Sequence, residues 1–152
     1  MDKKELLNFL LKARTKTYAG DGGSVTPALK GSKQLEYKEE NWLYRDVYYF
    51  GKGIFTGLEA IYYQDKPVWS MSYYGNFKKM TEEEIDKILR KALRENSKTA
   101  RTWKLVKWQK DGYEYVCRSD FGKSVDDFGG SEKVSKSGKD VYSFFYAAGL
   151  IV

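Results

Sequence analysis

The chain repeats itself, and that repetition limits its fold more than any other feature. Moving residues 42–75 forward by 73 positions lays Trp42-Leu43-Tyr44-Arg45 on Tyr115-Val116-Cys117-Arg118. It also lays Phe55-Thr56-Gly57-Leu58-Glu59 on Phe128-Gly129-Gly130-Ser131-Glu132. Ile61 then meets Val134, Val68-Trp69-Ser70 meets Val141-Tyr142-Ser143, and Tyr73 meets Tyr146, all without a gap. Each copy follows a helix signal. Thr81 and Glu84 form a capping box, with Met80 and Ile85 as a staple, and Asp2 caps an equivalent start in which Met1 faces Leu6. Leu6, Phe9, Leu10 and Ala13, and again Ile85, Ile88, Leu89, Ala92 and Leu93, mark apolar stripes at helical period. The helix starts are 79 apart, so the first copy has the longer connection.

Within each copy, runs of aromatic and branched residues separated by turn residues predict strands. They cover residues 42–49, 55–63 and 68–74 in the first copy and 113–118, 130–136 and 141–146 in the second. Residues 103–108 predict an extra strand, with 35–37 as its partner. Short turns favour antiparallel pairing. The expected fold is α+β: a single domain over 1–152, with internally duplicated units 1–75 and 80–149. Six to eight antiparallel strands form one sheet, able to bend strongly, with two packed helices. At 152 residues the chain is long enough to bury a core without staples.

Strand parity singles out charged groups. Glu59 shares a face with Phe55, Gly57, Ile61 and Tyr63, and Glu132 shares one with Phe128, Gly130 and Val134, so both glutamates are expected inside. Arg45 and Arg118 share parity with Leu43 and Val116 and are expected there too. Buried charges need partners. One reading pairs each arginine with a glutamate to fix the strand register. The other has these groups line a pocket together with rings, and Gly57 and Gly130 leave room beside the carboxylates. The candidate cleft residues are Tyr18, Arg45, Glu59, Trp69, Tyr73, Arg118, Glu132 and Tyr142.

Several classes of chemistry are excluded. The chain has no histidine and one cysteine, Cys117, which removes histidine general acid–base catalysis, Ser-His-Asp and Cys-His pairs, and the usual structural zinc site. Asp46, Asp120, Asp126 and Asp127 are hard-metal donors by type but form no metal signature, so no metal and no cofactor is expected. Gly20-Asp21-Gly22-Gly23-Ser24 lacks the lysine-hydroxyl ending of a phosphate loop, and residues 20–32 read as a flexible loop of the kind that covers a cleft. With no membrane-length apolar run, no export signal and a lone cysteine, a cytoplasmic location is expected. The net charge of +6 is concentrated between Lys87 and Lys110, where nine basic residues face one acid, Glu95. This predicts at most weak, non-specific contact with nucleic acid.

The chain resembles a family of small prokaryotic domains of unknown function. The residues that carry the likeness begin with Ala13-Arg14-Thr15-Lys16-Thr17-Tyr18-Ala19, Tyr44-Arg45-Asp46 and Phe55-Thr56-Gly57-Leu58-Glu59. They continue in Val68-Trp69-Ser70-Met71-Ser72-Tyr73-Tyr74-Gly75, Phe128-Gly129-Gly130-Ser131-Glu132 and Val141-Tyr142 through Gly149-Leu150-Ile151. Some relatives carry a DNA-binding helix-turn-helix segment beside this domain; none fits here. Ser72 stands where the family usually has asparagine, and Ala147-Ala148 where glycines are common. The resemblance implies a sensing or interaction module and supplies no catalytic residues.

The functional expectation is a non-enzymatic ligand-binding or regulatory module for a small molecule or protein. The alternative is a hydrolase or isomerase that uses tyrosines with Glu59 and Glu132 as its paired carboxylates.

Overall fold

The computed structural model describes residues 2–152; the expected role of Met1 lies outside the described residues. Helix α1 (Lys3–Lys16) starts where the side chain of Asp2 accepts the Lys4 amide at 2.9 Å, and it buries Leu6, Phe9, Leu10 and Ala13. The second helix starts at the expected capping box, in which Thr81 and Glu84 hold each other's backbone amides. It runs as α2 (Glu82–Glu84), a π-helical segment (Ile85–Arg90) and α3 (Lys91–Glu95), and buries Ile88, Leu89, Ala92 and Leu93.

Among the described residues, nine antiparallel strands form one open sheet, more than the six to eight expected. They are β1 (Ser24–Val25), β2 (Lys33–Glu39), β3 (Trp42–Gly51), β4 (Ile54–Tyr63), β5 (Lys66–Asn76), β6 (Val106–Lys110), β7 (Tyr113–Ser124), β8 (Asp127–Lys136) and β9 (Lys139–Leu150). Their order is β1-β2-β3-β4-β5-β9-β8-β7-β6. Two meanders therefore meet back to back at the β5–β9 pair, where Tyr73 lies directly opposite Tyr146. The segments at 35–37 and 103–108 do form strands, β2 and β6, but they lie toward opposite edges of the sheet and do not pair with each other.

The turns are tighter than expected, and the strands are correspondingly longer. Lys52-Gly53, Gln64-Asp65, Asp111-Gly112 and Ser137-Gly138 each close a hairpin in two residues. Apart from the glycines these residues take φ between 49° and 62°, the left-handed geometry whose twist matches the flanking strands. Residues 20–32 do not form a lid: Ser24–Val25 pairs with β2 as an edge strand.

One face of the sheet packs against both helices. Trp69, Met71, Phe128 and Phe144 meet the helix residues in a single core, and Phe9 stacks on Trp42 with ring centroids 5.4 Å apart. The opposite face carries exposed Tyr49, Leu58, Tyr74 and Phe145.

Candidate functional site

Parity holds for the glutamates. Glu59 and Glu132 are 3% and 0% exposed, each on the face that meets the helices. Their partners are not the strand arginines. Arg45 lies half-buried on the other face, with Glu36 at 2.8 Å and the ring of Tyr62 below it, and Arg118 is exposed. Arg14 and Arg101 fill the role instead. Arg14, from the last turn of α1, holds Glu59 through two nitrogens at 2.8 and 2.9 Å. Arg101, from the connection after α3, holds Glu132 at 2.9 and 3.0 Å. The two pairs are joined, because Arg14 also donates to the Arg101 carbonyl at 2.8 Å. Arg101 has φ 57°, a conformation costly for a side-chain-bearing residue (about 1–3 kcal/mol) that is tolerated where surrounding contacts fix it.

A register effect accounts for the misassignment of the arginines. At the hairpin end, Gly51 pairs with Ile54 and Ser124 with Asp127, as a uniform shift of 73 requires. Two irregularities in β7–β8, at Ser119/Phe121 and Gly122/Ser124, then consume two residues. Beyond them Glu59 faces Asp46, while Glu132 faces Cys117, 71 positions from Asp46. Tyr44 thus corresponds to Tyr115, and both are buried. Counted from the glutamates, Arg45 stands where Val116 does, so Arg45 and Arg118 do not share a register position.

The corresponding positions are furnished differently. In the second half Glu132 is fully satisfied: Arg101 and Tyr142 reach one oxygen and the Tyr115 hydroxyl donates to the other. Cys117 lies 3.4 Å from the Tyr146 hydroxyl, and burial, with Glu132 close by, pushes its thiol above the usual range. In the first half an aspartate occupies that place. Tyr73 donates to Asp46 at 2.6 Å, just as Tyr146 approaches Cys117. Gly57 and Gly130 make room for these hydroxyls: a Cβ would come within 2.5 Å of the Tyr73 oxygen and 2.7 Å of the Tyr146 oxygen.

A cavity of about 260 Å³ opens over Asp46 and Glu59, between the first-half strands and a wall supplied by the second helix, Arg101 and β9. Asp46, Glu59, Tyr73 and Arg101 contribute polar groups, and Phe55 and Phe144 contribute rings. The π-helical segment forms part of the wall through Ile85, Asp86, Leu89 and Arg90, in keeping with the frequent use of such wide turns at functional sites. Tyr18 and Tyr142 also line it, and the guanidinium groups of Arg90 and Arg101 lie over the Tyr18 ring, 5.0 and 5.4 Å from its centroid. Burial first, and the adjacent Glu59 carboxylate second, push the Asp46 carboxyl up to about 7. Burial and Asp46 together hold the Tyr73 phenol well above its ordinary range.

Of the eight residues expected at a cleft, Tyr18, Glu59, Tyr73 and Tyr142 line this cavity. Glu132 stands behind it, joined through Arg101 and Tyr142. Trp69 is buried in the core with its indole N–H on the Val125 carbonyl at 3.1 Å. Arg45 and Arg118 are elsewhere. The residues missed were Arg14, Arg101 and the placement of Asp46. A signal for the arginines was present: Ala-Arg-Thr occurs at 13–15 and again at 100–102.

These features define a class: an α+β domain whose single antiparallel sheet holds an aromatic, carboxylate-bearing cavity beneath its second helix. The chain belongs to the family described as a domain of unknown function (DUF5680), whose model matches residues 46–151. No curated protein and no solved structure matches it. No helix among the described residues is long and apolar enough to cross a membrane.

Proposed function

We propose that this chain is a non-enzymatic ligand-binding module, assembled from two related halves (1–75 and 80–149), whose site is the cavity over Asp46 and Glu59, walled by residues of both halves. The observation that carries this reading is a cavity of about 260 Å³ walled by rings and floored by buried polar groups. Ligand sites combine these two features, an apolar lining and a few convergent polar groups. A volume below the usual range of roughly 300–1,000 Å³ indicates a small ligand. The halves differ where it matters: the second is closed by a satisfied network around Glu132, and the first is left open at Asp46. The proposal extends to a regulatory role in the cytoplasm, which the lone, unpaired Cys117 supports.

The enzymatic alternative requires two carboxylates facing one substrate space. Glu132 does not line the cavity, so that alternative rests on Asp46 and Glu59, which are directly opposed across β3–β4. Titrating the isotope-labelled chain with small aromatic compounds while following backbone amide resonances tests the binding reading. Shifts are expected around Tyr18, Tyr48 and Phe144 and not on the outer face around Tyr74. A failure of every compound to move the cavity resonances would overturn the proposal, as would their turnover.

A further inference from the structure

Building on that reading, we propose that the cavity takes a small organic cation, an ammonium or amidinium group on an apolar body, with Asp46 as its counter-ion. The charge balance around the site points there. Arg14 is engaged by Glu59 and Arg101 by Glu132. From the second helix, Arg90 pairs with Asp86 at 2.9 Å and with Asp21 at 3.3 Å, and the remaining lining charges are one of each sign, Glu82 and Lys33, the latter over the Phe50 ring at 4.6 Å. Asp46 is left over. It is 5% exposed, and among the described residues its side chain makes one hydrogen bond, from the neutral hydroxyl of Tyr73.

The fold does not need a carboxylate at this place. Cys117 occupies the corresponding position opposite Glu132, and that half packs tightly without one. Like charges directly opposed on one sheet face are destabilising, so Asp46 beside Glu59 is a standing cost that a bound cation removes. The walls suit the same ligand. Ring faces attract cations, and the protein already uses them that way here, with the Arg101 guanidinium 4.3 Å from the Phe144 centroid. Phe55 and Tyr73 present further rings beside Asp46. An anionic ligand would meet the Asp46 and Glu59 carboxylates on the floor, where Arg14 and Arg101 are already paired; Arg90, on the helix wall, is held by Asp86 through one nitrogen and keeps a buried Nε without a partner among the described residues.

Benzylamine, benzyl alcohol and benzoate present one ring with a cationic, a neutral and an anionic head. Each is titrated into the full chain by amide-resonance NMR at pH 6, 7 and 8, with Asp46→Asn alongside. Benzylamine is expected to bind at least about tenfold tighter than the alcohol at pH 8. Because the cation needs Asp46 ionised, its affinity is expected to rise about tenfold from pH 6 to pH 8, with the alcohol unchanged. Asp46→Asn, which keeps the side chain's shape, is expected to abolish the preference and retain the alcohol. Equal or tighter binding of the alcohol or benzoate would overturn the cation assignment and leave the cavity as a binding site. If none of the three moved the cavity resonances, both proposals would fall.

Discussion

Replacing Asp46 with asparagine isolates the energetic consequence of a carboxylate with no cation. The ordinary value for an aspartate is 3.8, and burial together with Glu59 lifts Asp46 to about 7. Below the lower value both the folded and the unfolded chain hold the proton. Between the two values the unfolded chain releases it and the folded protein keeps it, so stability falls as pH rises. Each pH unit in that window is worth about 1.4 kcal/mol, and the decline ends once the folded form also ionises. From pH 5 to pH 7 the parent protein therefore loses about 2–3 kcal/mol at this site. Asparagine does not titrate, and its side-chain oxygen still accepts the Tyr73 hydroxyl, which stands 2.6 Å from the aspartate oxygen. The neighbours that set the titration are Glu59, Tyr73, Arg101 and Arg14, and all four remain in the variant. Urea unfolding of both proteins at pH 5, 6, 7 and 8, followed by tryptophan fluorescence, gives the stability difference. That difference should move in favour of Asp46→Asn by about 2–3 kcal/mol between pH 5 and 7, then level off. A difference constant within about 0.5 kcal/mol over the whole range would refute a buried, proton-holding Asp46.

The two arginine–glutamate pairs should respond unequally to truncation. Glu132→Ala strands Arg101 and leaves the Tyr115 and Tyr142 hydroxyls without their acceptor, so denaturant unfolding should show a loss toward the top of the range of about 3–5 kcal/mol. Glu59→Ala leaves Arg14 its bonds to the Arg101 carbonyl and the Met71 sulfur, and removes the like charge facing Asp46, so a loss below about 3 kcal/mol is expected; equal losses would contradict this ordering. Nucleic acid should bind weakly and without sequence preference, because Lys87, Arg90 and Lys91 pair with acids four residues away and Arg101 is buried. Fluorescence titration with single- and double-stranded DNA and RNA at roughly 0.15 M salt checks this, and sub-micromolar, sequence-selective affinity would show it wrong.

Local chemistry alone determined much of this protein. Both helix starts follow from short-range capping, the α1 stripe of Leu6, Phe9, Leu10 and Ala13 follows from helical period, and the inward side of Glu59 and Glu132 follows from alternation along a strand. None of these depends on a distant residue. Tertiary structure decided which arginine meets which glutamate, because Arg14 and Arg101 reach the sheet from a helix end and a connection. Two small irregularities in β7–β8 also slid the strand by two residues. A slip of two keeps every side chain on its own face, so alternation cannot reveal it, yet it changes which residue stands opposite each glutamate. For the same reason Asp46 was legible only as an aspartate in a strand. Its isolation beside Glu59, and the cavity above it, come from the packing of the second helix over β3, β4, β5 and β9.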